Sequence, residues 1–174
     1  MTSVTSTSLQ ELIDRAEERG LAAAGLACLD RCLPLLAPDA ADVLRPAWAT
    51  VARGDGGAWG EAVAKARVEL DGAGSGPGGE VAALVRGMLD DAPADWAVEP
   101  LREWARRCSG AALTAHAHYD ATDAGPLHAG ELRRQQAVLE AVAHGPTGLR
   151  RARDLSTEGG RVLRAVVSRR ARTA

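Results

Sequence analysis

The stretch from Leu21 to Leu33 constrains this chain most. Its only charged residues are Asp30 and Arg31. A helix that is apolar nearly all round has no face to give to water, so other helices must surround it. The longest apolar run inside it, Leu21 to Leu29 with Gly25 counted, falls well short of the roughly 20 residues that span a bilayer. The pattern therefore predicts the central buried helix of a water-soluble fold, ended by Pro34 and Pro38.

Composition says what surrounds that helix. The chain holds 36 alanines and 20 arginines, with Lys65 the only lysine, Ile13 the only isoleucine, and no Phe or Asn. Ala, Leu and Arg favour helices, and the β-branched and aromatic residues that favour strands are scarce. The predicted fold is all-α: an irregular multi-helix bundle or a short helical-repeat stack of seven to nine helices. The bias itself reads as the coding of a GC-rich bacterial genome.

Local signals divide the chain. Ser8 and Glu11 form a capping box ahead of a helix predicted to end near Gly20. A third helix runs from Asp39 to Arg53, with Pro46 marking a kink or a late start near Arg45. A fourth covers about Ala58 to Leu70 and a fifth Glu80 to Asp91. Asp95 to Asp123 holds one long helix or two, with Gly110 as the break. Pro126 suits the first turn of the next helix, which runs to His144. A helical stretch over 148–154 then precedes a last helix from Thr157 to Arg170. Residues 1–7 are predicted to be disordered and 8–174 to form one domain. The run DGAGSGPGG at 71–79 is predicted to be a flexible connection within it, long enough at about 15–18 Å to cross one end of a bundle.

Four histidines and a few carboxylates are the candidates for chemistry. His116 and Asp120 stand four apart and so share a helix face, which gives a metal site one pair. His118 lies some 200° round the axis from His116 and cannot join it. Both are predicted to sit at the edge of an apolar stripe running from Leu101 through Trp104, Cys108 and Ala112 to Ala115 and Tyr119. His128 and His144 bracket the next helix, and His144 is predicted to cap its end. A metal-dependent helical bundle using His116, Asp120, His128 and His144 is the enzymatic alternative. No HExxH, nucleotide-binding glycine loop or GxSxG motif occurs. No cofactor or metal is expected, and the reading leans away from an enzyme.

Cys28, Cys32 and Cys108 make an odd count without CxxC spacing, which favours a reducing cytoplasm over a disulfide scaffold. Cys28 and Cys32 are predicted to pack in the core, with the Arg31 stem carrying its charge out to water. Trp48, Trp59, Trp96 and Trp104 are the expected aromatic anchors.

Charge is the strongest asymmetry. Residues 1–145 carry 13 basic and 21 acidic groups, a net of −8. Residues 146–174 carry eight arginines against Asp154 and Glu158, a net of +6. In the last helix Val162, Leu163, Val166 and Val167 share a face that must dock, on its own acidic domain or on a partner. Arg161, Arg164, Arg169 and Arg170 point elsewhere and are the expected partner-binding residues. The leading expectation is a non-enzymatic interaction or regulatory protein that binds a protein partner or a second copy of itself. Nucleic-acid binding by the basic tail ranks below it because the whole chain is acidic and has little aromatic interleaving. A membrane role is not expected, since four Val and Leu side chains give only a small insertion face.

Overall fold

The computed structural model describes residues 8–40, 42–72, 79–122 and 125–173. The predicted disordered segment 1–7, most of the 71–79 connection and Asp123 lie outside them. The fold is all-α. Eight helices and no strand occur among the described residues: α1 (Leu9–Arg15), α2 (Glu18–Cys32), α3 (Arg45–Arg53), α4 (Gly56–Glu69), α5 (Gly79–Asp90), α6 (Val98–His118), α7 (Pro126–Val142) and α8 (Pro146–Thr173). A short 3-10 turn, Leu33–Leu35, continues α2.

Helix α2 is the hub. Residues 21–29 are all buried, and the helix packs most extensively on α6, then on α8 and α7, and also touches α3 and α5. Its run of Ala22, Ala23, Ala24 and Gly25 keeps the surface thin enough for neighbours on several sides. At Gly25 this is obligatory: a Cβ there would lie 2.4 Å from Cζ3 of Trp104 on α6. Each fully buried Leu or Ile on these helices contributes on the order of 1.5–3 kcal/mol through loss of water contact.

Most of the remaining helices pack on this hub, and α4 packs on α3 and α5. Helix α1 begins with the expected capping box, Ser8 with Glu11, and lies on α7 and α6. It stops at Arg15 rather than near Gly20, because Ala16 turns extended (φ −71°, ψ 147°) and α2 already begins at Glu18. Helix α3 takes the late start, with Pro46 in its first turn. The α3–α4–α5 run then leads back to α6, which is unbroken at Gly110. Arg67 of α4 donates to the carbonyls of Leu89 and Asp90 at the end of α5, at 3.1 and 3.0 Å.

Three tryptophans are core anchors, and each satisfies its indole N–H, as a buried donor must. Trp104 donates to Met88 O (2.8 Å), Trp59 to Pro93 O (2.8 Å) and Trp48 to Asp30 Oδ2 (3.1 Å). Trp59 sits edge-on between Trp104 and the half-buried Trp96. No helix among the described residues is long and apolar enough to cross a membrane.

Candidate functional site

Helix α8 runs unbroken from Pro146 to Thr173 and includes both the helical stretch expected at 148–154 and the last helix expected from Thr157 to Arg170. Two hydroxyls near the middle of the helix bond back to its own carbonyls. Ser156 donates to Ala152 O (2.8 Å) and Thr157 to Arg153 O (3.1 Å). Leu149, Ala152, Ser156, Gly159, Gly160 and Leu163 form its buried side at helical spacing. Val162, Val166 and Val167 are half-buried. The apolar face of the last helix therefore docks on the chain's own body, chiefly α7 and α2.

That docking fixes where the arginines go. Arg161, Arg164, Arg169 and Arg170 are all exposed. No arginine of α8 lies within ion-pairing distance of a carboxylate among the described residues. The four expected residues divide into two pairs over two clefts. Arg161 and Arg164 border a cleft of about 230 Å³ between α8 and the end of α2, and Arg164 Nη2 donates to Pro38 O at 3.5 Å. Arg169 and Arg170 border a groove of about 290 Å³ against the α6–α7 turn, where the Arg170 guanidinium stands 4.9 Å above the Tyr119 ring.

Beneath α8 lies a polar cluster that sequence reasoning missed. Arg31 of α2 and Glu131 of α7 are both 0% exposed and form a two-pronged ion pair. Nε donates to Oε2 and Nη2 to Oε1, each at 2.7 Å. Gln135 Nε2 donates to Glu131 Oε1 (2.9 Å), and Ser109 of α6 donates to Gln135 Oε1 (2.6 Å). The expectation that the Arg31 stem reaches water is thus wrong. Gly159 of α8 lies directly against that stem, where a Cβ would come within 2.4 Å of Arg31 Cδ. Burial alone would push the Glu131 carboxyl up, but the charge and hydrogen bonds of Arg31 outweigh it and hold the group below its ordinary value.

His116 belongs to this cluster, not to the edge of the apolar stripe. It is buried, its Nδ1–H donates to Ala112 O (2.7 Å), and Nε2 stands 3.5 Å from Glu131 Oε2. Burial pushes its pKa down, with Arg31 and Arg134 adding to that, against the pull of Glu131 and the Ala112 carbonyl. A protonated ring would set a second cation beside Arg31 with one carboxylate between them. Asp120 points away to α7, accepting from the backbone N–H of Leu127 (2.8 Å) and His128 (2.9 Å), so it caps that helix. His118 is exposed and lies edge-on to Tyr119. His128 is half-buried. His144 is exposed and sits two residues past the end of α7, outside its expected capping turn. Among the described residues no group of three or more His, Cys, Asp or Glu side chains is placed to hold a metal ion.

The three cysteines are buried and free. Burial pushes the Cys28 thiol up to about 12 even with Arg31 beside it, and raises Cys32 and Cys108 as well. All three are protonated packing groups without thiolate reactivity at neutral pH.

Arg31 and Glu131 are 100 residues apart in the chain, so no local pattern joins them. One signal was legible: Ala24, Ala27 and Cys28, the residues one and two turns before Arg31, are all apolar. The helix thus offers the arginine no polar flank on its own face. No known protein family, curated protein or solved structure matches this chain, and its function has to be argued from these sites alone.

Proposed function

We propose that this chain is a non-enzymatic interaction protein that captures an acidic protein surface with the arginine face of α8. The observation that carries the reading is a set of exposed arginines, free of ion pairs among the described residues, on a helix whose apolar side is already seated. Arg161 to Arg172 extends over about 16 Å at 1.5 Å per residue. Arginine is enriched at protein interfaces because its flat guanidinium gives up water readily and pairs with carboxylates in two-pronged fashion. A protein partner is favoured over nucleic acid because the chain as a whole is not basic and its arginines have almost no aromatic residues among them on which bases could stack. A second copy offers such an acidic surface too. Three buried thiols fit a reducing, cytoplasmic setting.

The test is capture from native cells on immobilised protein, comparing the wild type with the Arg161→Ala/Arg164→Ala/Arg169→Ala/Arg170→Ala variant at low and high salt. All four side chains are exposed, so the variant should unfold at the same denaturant concentration as the wild type. Truncation after Leu155 is the poorer experiment, since it would remove buried Leu163 and uncover Arg31. The expected result is a protein retained by the wild type and lost by the variant. Equal capture by both overturns the reading. Capture of nucleic acid alone, with affinity falling steeply with salt, replaces it with a nucleic-acid function.

A further inference from the structure

The cleft beside Arg161 and Arg164 has a more specific chemistry than the rest of the arginine face. The two arginines stand three apart on α8 and share one wall. The opposite side holds Asp30, whose Oδ2 accepts from Trp48 and whose Oδ1 has no hydrogen-bond partner among the described residues. Ala37 and Ala40, both half-buried, supply a small apolar surface, with the buried Leu33 and Pro34 behind them. At about 230 Å³ the space lies below the roughly 300–1,000 Å³ of pockets that take drug-sized ligands, and it suits a group the size of one residue.

These groups call for an anion, an apolar body and an N–H donor within one residue. An aspartate inside a chain supplies a carboxylate and an N–H but no apolar body. An internal leucine supplies the last two but no charge. The last residue of a chain supplies all three when its side chain is apolar. Resting on the reading that α8 is the binding face, we propose that this cleft receives the C-terminal residue of a partner chain, an apolar residue with a free carboxylate. The carboxylate pairs with Arg161 and Arg164, the side chain lies on Ala37 and Ala40, and the backbone N–H donates to Asp30. Capture of a terminal carboxylate is an established mode of peptide recognition, and guanidinium groups match carboxylate geometry well.

Fluorescence anisotropy with labelled peptides ending in Ala, Val or Leu, each as the free acid and as the C-terminal amide, tests the proposal on the full chain. The free acids should bind, and amidation should weaken binding about tenfold or more, as loss of a charged hydrogen-bonding group does. Arg161→Ala and Arg164→Ala should each cause a loss of similar size. Asp30→Asn should cause a smaller one. Arg169→Ala/Arg170→Ala, at the other groove, should leave peptide affinity unchanged. Equal affinity for acid and amide, or no binding of any peptide to the wild type, overturns the proposal. If no peptide binds while partner capture still depends on the four arginines, the cleft inference fails and the wider reading of α8 stands. If peptides bind through Arg161 and Arg164 but partner capture ignores all four arginines, the wider reading fails and the cleft remains a carboxylate site.

Discussion

Replacing Glu131 by Gln should cost this fold about 3–5 kcal/mol, the usual loss when one partner of a buried ion pair is removed. Glu131 and Arg31 are both 0% exposed and are joined by two hydrogen bonds of 2.7 Å. Glutamine keeps the shape and one acceptor, but it leaves a guanidinium that cannot lose its proton in a site closed by Gly159 of α8. Against a total stability of roughly 5–15 kcal/mol, that loss is large. The opposite change, Arg31→Met, leaves a carboxyl that can take up a proton, so its cost should be smaller and should shrink as pH falls. The double variant Arg31→Met/Glu131→Leu should lie within about 1 kcal/mol of the wild type or above it, because it removes both desolvated charges together. Urea unfolding followed by the fluorescence of buried Trp59 and Trp104 measures all three. A Glu131→Gln loss below about 1 kcal/mol would refute the reasoning, since it would mean that water reaches Arg31 and that α8 does not close the site.

Four further outcomes follow from the packing and the buried charges. His116 has a lowered pKa in the fold, so the unfolded chain takes up its proton first, near the usual 6.5; stability should start to fall as pH drops through that value and level off only below the folded one, and His116→Gln should flatten that decline in a thermal-melt series. The Glu131 contribution, from a carboxyl held below its ordinary 4.5, should persist above that pH and be lost only as pH falls through the folded value. Gly25→Ala should destabilise by about 1–3 kcal/mol through overpacking against the Trp104 ring, and a neutral result by chemical denaturation would mean that α6 lies further from α2 than described. Cys28, Cys32 and Cys108 should resist a thiol reagent under native conditions and react together on unfolding; rapid labelling of any of them in the native state would contradict their burial.

Legibility in the sequence followed locality. The hub was readable because nine successive apolar residues leave no alternative to burial. Ser8 with Glu11, Pro46 and Pro126 marked helix starts through chemistry confined to one turn. The errors arose where distant parts of the chain override local preference. Gly20 reads as a helix end, yet it continues α2 with Val142 of α7 packed near it. The helical stretch at 148–154 and the last helix from Thr157 are one continuous helix, and the closeness of Gly159 to Arg31 within it has no local signal. Glu131 sits between Gly130 and Leu132 in a polar-looking stretch, and only the arrival of α2 reveals it as the partner of Arg31. The arginine pattern of α8 was legible as exposure, but its division into two clefts depends on the 3-10 turn after α2 and on the α6–α7 turn, neither of which is adjacent in sequence.

The central claim is that the outer face of α8 is where a protein partner sits. A photo-crosslinking residue at Ala165, exposed between Arg161 and Arg169, tests it most directly, with Val68 on α4, 75% exposed, as the comparison site. The account expects a partner adduct from position 165, lost when the four arginines are replaced by alanine, and none from position 68. An adduct from position 68 with none from position 165 would contradict it and move the interface to α4.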